Sequence, residues 1–222
     1  ISVKKSDNSF MINGDISNKK QGFDIKKLQK NLDYNFDFIE NSKVNLSSNN
    51  EFSLSLINKK KIDKFELKSK IDFDEIKFNK NLNLPININN GELKFDYKNH
   101  IVDININSSF YFLSDEKEQA NFGDANFLIS KKNNENIKIK GNFSNKGNKI
   151  NSDQIKELLN IDSKLIPSQD LNFDSNNSIE FELNKKNQVE NYKLNSDLKI
   201  SKLEVSNKDR NIKRFLPEYK DK

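Results

Sequence analysis

The chain has 222 residues, of which 33% are hydrophobic and 32% charged. Its mean hydropathy is −0.88, and such values are typical of chains close to the disordered class. Leu, Ile, Val and Phe nonetheless fill roughly 30% of the positions, above the ~20% that a folded core requires. The sequence therefore predicts a folded chain of one domain or two.

Charge and residue usage exclude several classes of site. The formal net charge is only +5, which is modest for a chain of this length and does not indicate a nucleic-acid interface. The absence of Cys excludes a disulfide framework and a thiolate metal site. No run of 18 apolar residues is present, so no helical membrane span is predicted. The start at Ile1 and the polar end at Lys222 lead us to expect a segment of a longer protein.

Two short helices and many strands are predicted along the chain. Residues 24–32 and 153–160 space their apolar residues by three and four, and each begins at an Asp suited to capping a helix. Elsewhere apolar and polar residues alternate, as in strands with one covered face. The two helices precede strand runs and lie about 130 residues apart, so two copies of a larger unit are possible, at about 1–150 and 151–222. The alternating runs are 32–38, 52–56, 65–73, 82–88, 93–97, 102–112, 127–129, 137–139, 179–183 and 194–200.

Two turn signals set the expected strand pairing between residues 82 and 112. A two-residue loop at Asn90-Gly91 would place Ile86 opposite Phe95. A second loop at Asn99-His100 would place Phe95 opposite Ile104 on the same face. The two registers agree, so the sequence predicts a meander with one apolar and one polar face.

The apolar face is too large for the predicted helices to cover. About 13 strands with three inward residues each give on the order of 40 apolar side chains, each stabilised by roughly 1.5–3 kcal/mol on leaving water. Two helices of about eight residues are each only ~12 Å long. Three architectures could solve this problem: a sandwich of two sheets, a closed barrel, or a twisted sheet curled into a groove that holds acyl chains.

Hairpins such as INNGELKFDYKNHIVDININSSFYF and IKIKGNFSNKGNKINSDQIKELLNI, with sparse short helices, resemble the AsmA/YhdP/TamB group of bacterial envelope proteins. The resemblance covers roughly residues 10–205. It implies an all-β fold, a long twisted antiparallel sheet of meandering hairpins curled into a hydrophobic groove, forming one groove segment over residues 1–222. It also implies a periplasmic location, an N-terminal inner-membrane helix outside this segment, and phospholipid passage between the inner and outer membranes.

The side chains expected to line this groove are the apolar members of the alternating runs. They are Phe36, Phe38, Leu54, Leu56, Phe65, Leu67, Ile71, Phe73, Leu84, Ile86, Ile88, Leu93, Phe95, Tyr97, Val102, Ile104, Ile106, Phe110, Phe112, Phe127, Ile129, Ile137, Ile139, Phe181 and Leu183. The predicted ligand is a phospholipid acyl chain. No cofactor is expected. The alternative interpretation is a structural or adhesive sandwich or solenoid whose own side chains fill its interior.

No residue pattern indicates catalysis. His100 is the only histidine and is predicted to lie in an exposed turn, without partners for a zinc site. Asp72 and Asp74 alternate with Phe73, which predicts the polar face of a strand rather than acid–base chemistry. The acidic loop at residues 115–118 lacks the glycine of a calcium-binding loop. We therefore expect that the chain is not an enzyme.

Overall fold

The computed structural model describes residues 1–6, 9–32, 37, 39–57, 61–78, 86–112, 122–153, 156, 167–186 and 188–201. These residues form one ten-stranded antiparallel sheet in which each strand pairs with its neighbours in sequence. The sheet is not closed into a barrel. The predicted all-β class is confirmed.

The elements follow the chain from one edge of the sheet to the other. The strands are β1 (Ser2–Ser6), β2 (Ser9–Asp24), β3 (Lys43–Ile57), β4 (Lys61–Ile76), β5 (Ile86–Lys98), β6 (Ile101–Phe112), β7 (Gly123–Lys131), β8 (Ile137–Asn151), β9 (Asp170–Leu183) and β10 (Val189–Ser201), and the helix α1 is Ile25–Leu32. Most strands are longer than the predicted runs, and β1 and β2 were not predicted.

The β5–β6 hairpin confirms the second predicted register. Phe95 lies opposite Ile104, and Tyr97 lies opposite Val102. The loop is Asn99-His100, with φ angles of 51° and 63°. Two successive positive φ angles define the turn whose twist matches that of the flanking strands.

The first predicted register is wrong, because Asn90-Gly91 is not a turn. Strand β5 runs straight through both residues, and Ile86 pairs with Phe112 rather than with Phe95. The pairing with β6 shifts by one residue between Asn89 and Glu92, and Asn90 has a φ of 47°. A β-bulge needs the same backbone freedom as a tight turn, so the dipeptide alone does not distinguish them.

Helix α1 confirms the first predicted helix. The Asp24 carboxylate accepts a hydrogen bond from the Lys27 backbone N–H at 3.0 Å, which is the capping contact expected of Asp at this position. The helix brings Ile25 onto Val44 and Phe73, and these three form a small buried cluster. Of the second predicted helix only Asp153 and Lys156 lie among the described residues, and both are helical.

A buried hydrogen-bonded group joins β4, β5 and β6. The Tyr111 hydroxyl donates to the Glu75 carboxylate and accepts from Asn87 Nδ2 at 3.3 Å. Asn87 Oδ1 accepts from the Phe78 backbone N–H at 3.0 Å. Tyr111 and Asn87 are each 1% exposed. Burial, with a smaller effect from the Glu75 hydrogen bond, raises the pKa of Tyr111 to about 12.

Strands β8, β9 and β10 resemble β2, β3 and β4 in detail. The register shift in β2 between Asn18 and Gln21 recurs in β8 between Asn145 and Asn148. The hydrogen bond from Ile25 N to Ser42 O, at 3.0 Å, recurs from Ser152 N to Gln169 O, at 2.9 Å. Each residue of the second set lies the same number of positions after its counterpart in the first set as Asn145 lies after Asn18. The second set of strands therefore repeats the first at a constant spacing.

Candidate functional site

The predicted lining residues that the structure describes lie on one side of the sheet, here called the apolar face. Directly paired residues of neighbouring strands point to the same side, and alternate residues of one strand do likewise. The members are Leu54, Leu56, Phe65, Leu67, Ile71, Phe73, Ile88, Leu93, Phe95, Tyr97, Val102, Ile104, Ile106, Phe110, Phe127, Ile129, Ile137, Ile139, Phe181 and Leu183. Ile86 and Phe112 pair with each other where β5 begins and β6 ends. Phe36, Phe38 and Leu84 lie outside the described residues.

Two neighbouring rows form the centre of this face and cross the sheet from β5 to β9. The first row is Phe95, Ile104, Ile129, Ile139 and Phe181, each paired with the next. The second row is Leu93, Ile106, Phe127, Gly141 and Ile179, paired in the same way. Together they make a continuous apolar band perpendicular to the strands. Its length is about 20 Å, because neighbouring strands are ~4.8 Å apart.

The apolar face remains partly exposed. Among the predicted members only Phe73 is buried, at 8% exposure, and Phe65 is 39% exposed; the others named above are partly buried. All described strands belong to one sheet, so no second sheet of described residues covers this face. Residues in the middle of a sandwich core would instead be almost fully buried.

Phenylalanine rings lie over glycines on this face, a feature that the sequence analysis missed. Four glycines face a phenylalanine on the neighbouring strand, in the pairs Gly14–Phe52, Gly91–Phe73, Gly123–Phe110 and Gly141–Phe127. A β-carbon at Gly91 would lie 1.8 Å from Cζ of Phe73, and one at Gly141 would lie 2.6 Å from Cε1 of Phe127. The rings therefore lie against the backbone and cover it, which compensates for the absent side chain.

Two polar clusters interrupt the apolar face. In the first, which comprises Asn18, Ser48, Asn50 and Ser69, Ser48 donates to Asn18, Asn50 Nδ2 donates to Ser48 Oγ at 3.0 Å, and Ser69 donates to Asn50. The Ser-Asn-Asn sequence at residues 48–50 and again at 175–177 was the signal that could have revealed them.

The second cluster comprises Asn145, Ser175, Asn177 and Ser196 and has the same bonds. Ser175 donates to Asn145, Asn177 Nδ2 donates to Ser175 Oγ at 3.1 Å, and Ser196 donates to Asn177 Oδ1 at 2.6 Å. Because the side chains satisfy one another, each cluster can remain on an otherwise apolar surface.

The opposite side of the sheet, here called the polar face, carries charged side chains in ion pairs within and between strands. Glu92 accepts from Lys70 at 2.7 Å and from Lys94 at 2.8 Å, and Lys140 pairs with Glu180 at 2.9 Å. The hydrogen bond from Lys70, followed by that from Lys94, lowers the pKa of Glu92 below its usual range. The Lys140 hydrogen bond likewise lowers the pKa of Glu180. These carboxylates stay ionised at neutral pH.

An open depression of about 700 Å³ lies against β3–β8. Its polar-face lining includes lysines 68, 70, 94, 138 and 140, the carboxylates of Glu51, Asp96 and Asp103, and Leu128. Long lysine side chains present alkyl stems as well as charged ends. This depression therefore combines apolar surface with charges of both signs.

The residues considered for catalysis in the sequence lie in a turn, in strand β4 and in a segment outside the described residues. His100 lies exposed in the β5–β6 turn, as predicted. Asp72 is exposed, and Asp74 pairs with Lys20 and accepts from Asn45; the hydrogen bond from Lys20 lowers the pKa of Asp74. Within the described part of the chain no group of three or more His, Cys, Asp or Glu side chains is placed to hold a metal ion. Residues 115–118 lie outside the described residues.

Comparison with known proteins gives no relative. No protein-family model, no curated protein and no solved structure matches the chain. The described residues also contain no helix with the length and hydrophobicity needed to cross a bilayer.

Proposed function

We propose that the apolar face binds phospholipid acyl chains, and that the chain is an AsmA-like segment of a periplasmic bridge that carries phospholipid between the inner and outer membranes. The observation that supports this function is the single-layer sheet, whose continuous apolar band has no second sheet over it among the described residues. Large contiguous apolar patches that remain exposed are typical of protein, membrane or ligand contact sites. The membranes themselves would be reached through parts outside this segment.

The dimensions of the band suit an acyl chain. The rows from Phe95 to Phe181 and from Leu93 to Ile179 give about 20 Å of apolar surface across β5–β9. A phospholipid acyl chain of sixteen carbons extends over a comparable length. Each buried methylene contributes about 0.8 kcal/mol, so a chain lying along the band gains several kcal/mol while its head group stays in water.

The charge distribution supports the same assignment of faces. Lys70, Lys94 and Glu92 on the polar face are held in ion pairs that favour contact with water. The apolar face has instead the flat phenylalanine rings and the hydrogen-bonded polar clusters. Lipid would therefore contact one face and solvent the other.

Site-specific photo-crosslinking tests this function. p-Benzoylphenylalanine replaces Phe95 on the apolar face of β5 or, as a control, Asp103 on the polar face of β6. Each variant is irradiated with vesicles of phosphatidylethanolamine and phosphatidylglycerol and analysed by mass spectrometry. We expect phospholipid adducts from the Phe95 probe and none from the Asp103 probe, and copurified phospholipid in native mass spectra.

The same measurement distinguishes lipid binding from the alternative function, that of a structural or adhesive β protein whose apolar face is covered by protein. In that case the Phe95 probe would give protein–protein adducts, and native mass spectra would be free of lipid. Equal lipid labelling from both faces would also contradict the proposal, because it would show unspecific contact with the vesicle.

A further inference from the structure

Strand β10 is the last strand of the sheet and pairs with β9 along one edge. Its other edge, here called the outer edge, has no partner among the described strands. We propose that this edge is a docking site for one more antiparallel strand, and that the strand it fits is of the β5 type, supplied by another repeat of the same kind. The inference concerns assembly of the sheet and does not depend on which ligand the apolar face binds.

The first basis is the equivalence of β10 and β4. At the constant spacing described above, Tyr192 corresponds to Phe65, Leu194 to Leu67 and Leu198 to Ile71. Ser196 joins the second polar cluster as Ser69 joins the first. Strand β4 pairs with β3 along one edge and with β5 along the other. Strand β10 pairs with β9, the counterpart of β3, so its outer edge is equivalent to the edge where β4 binds β5.

Exposure distinguishes the two strands at these equivalent positions. Leu194 is 49% exposed and Leu198 58% exposed, whereas Leu67 and Ile71 are partly buried beside β5. Tyr192 is 58% exposed, compared with 39% for Phe65. These side chains are therefore more exposed on β10 than their counterparts on β4, and a neighbouring strand would reduce that exposure.

The charges of β10 complement those of β5. In the β4–β5 register Lys70 faces Lys94 and Asp72 faces Glu92, which places like charges directly opposite each other, and Lys70 instead pairs diagonally with Glu92 at 2.7 Å. The β10 residues at these two positions are Asp197 and Lys199. A β5-type strand in the same register would place Lys94 opposite Asp197 and Glu92 opposite Lys199. Opposite charges in directly paired positions stabilise a sheet, and like charges destabilise it.

The apolar side of the same register also matches. Tyr97 would face Leu194 and Leu93 would face Leu198, as they face Leu67 and Ile71 in β4. Two positions do not follow this pattern: Lys193 would face Lys98, where β4 has Glu66, and Asn195 would face Asp96, where β4 has Lys68. The positions of Leu194, Asp197, Leu198 and Lys199 thus favour a β5-type strand, whereas Asn195 offers Asp96 no opposite charge and Lys193 opposes pairing at the end of the strand.

A synthetic peptide with the sequence of β5, ININNGELKFDYK, tests the site. The full chain carries p-benzoylphenylalanine in place of Leu198, and a control variant carries it in place of Val3 on the opposite edge strand. We expect irradiation to crosslink the peptide to the Leu198 variant, with the adduct near peptide residue Leu93, and to give little product with the Val3 variant. Failure to capture the peptide, or equal capture at both edges, would overturn the proposal.

Charge reversal tests the register. A peptide with Glu92→Lys and Lys94→Glu should bind the unmodified chain roughly tenfold more weakly, because two attractive pairs become repulsive. Asp197→Lys with Lys199→Glu in the chain should restore binding of the reversed peptide and weaken binding of the original one. Affinities that do not respond to either reversal would show that the peptide does not pair with β10 in this register.

Discussion

At the scale of single residues, the pairing of phenylalanine with glycine gives aromatic rings of this one-layer sheet a surface to pack on. The chain has only 6 Gly, and four of them face a phenylalanine on the neighbouring strand. A glycine lowers the local height of the surface, so the facing ring can lie flat on the backbone. The ring thereby gains contact within the sheet itself, where a sandwich would provide it from a second layer.

Gly91→Ala tests this role. The new methyl group would lie 1.8 Å from Cζ of Phe73, and Phe73 is enclosed by Ile25 and Val44. We expect a loss of about 1–3 kcal/mol in the free energy of unfolding, the usual cost of overpacking. Urea denaturation measures it.

The matched control is Gly22→Ala, whose β-carbon would meet its nearest neighbour, Asn45 Oδ1, at 3.3 Å. We expect a much smaller change for this exposed strand position. If both glycine substitutions had equal effects, the cost would come from the glycine backbone rather than from displacement of the ring.

At the scale of elements, the same kind of turn signal had two outcomes, depending on what the neighbouring strand packs against it. Asn99-His100 is a turn, as predicted, whereas Asn90-Gly91 is a bulge within β5. The difference lies in the neighbouring β4, where Phe73 needs Gly91 opposite its ring. Buried Tyr111 connects the same strands through Glu75 and Asn87, so this part of the sheet is held by contacts distant in sequence.

Tyr111→Phe should alter both the stability and its dependence on alkaline pH. The substitution removes a hydrogen-bond partner from buried Asn87, which costs about 1–2 kcal/mol at neutral pH. In the folded chain the pKa of Tyr111 is raised from 10.0 to about 12, so the neutral phenol is favoured in the folded state. Its contribution is therefore complete below pH 10 and is lost as the pH rises toward 12.

Urea denaturation of both proteins between pH 9 and 12 checks this expectation. Tyr111→Phe should lose less stability than the unmodified chain over the upper part of this range. Lys70, whose pKa is raised chiefly by its hydrogen bond to Glu92, titrates in both proteins and cancels in the comparison. Parallel pH profiles would show that Tyr111 does not carry the alkaline loss.

At the scale of the whole molecule, the single sheet makes each apolar side chain of the band accessible from one side. The buried apolar residues named for the described chain are few: Ile25, Val44, Phe73, Tyr111, Phe122 and Leu171. Most apolar side chains of the described residues are therefore only partly buried, within a single layer rather than a thick core. Within the described part of the chain, the band has no second sheet over it and the outer edge of β10 has no partner strand.

Ile104→Asp tests how open the band is. On a partly exposed face the carboxylate can still contact water, so we expect a folded protein that has lost about 1–3 kcal/mol from the lost apolar contacts. Lipid crosslinking from the Phe95 probe should fall strongly, because a charge next to the acyl chain must be desolvated. Circular dichroism, thermal melting and crosslinking are the measurements.

Asn105→Asp is the matched control, since it adds the same charge one residue further on the polar face of β6. It should preserve both the fold and the lipid adducts. Outright unfolding by Ile104→Asp would contradict this expectation and would show that the residue is enclosed on every side, as in a sandwich. An uncompensated buried charge removes several kcal/mol of a total stability of ~5–15 kcal/mol.

The sequence by itself determined the strand character, the apolar and polar faces, helix α1 and the turn at Asn99-His100, because alternation, capping and turn chemistry depend on neighbours in the chain. It did not predict β1 or β2, and in β2 Gly14 and Asn18 interrupt the apolar pattern. Only the tertiary structure decided the bulge at Gly91, the phenylalanine–glycine pairs and the two polar clusters. Each of these depends on which residue of another strand lies opposite, and register is fixed by the assembled sheet rather than by a local pattern.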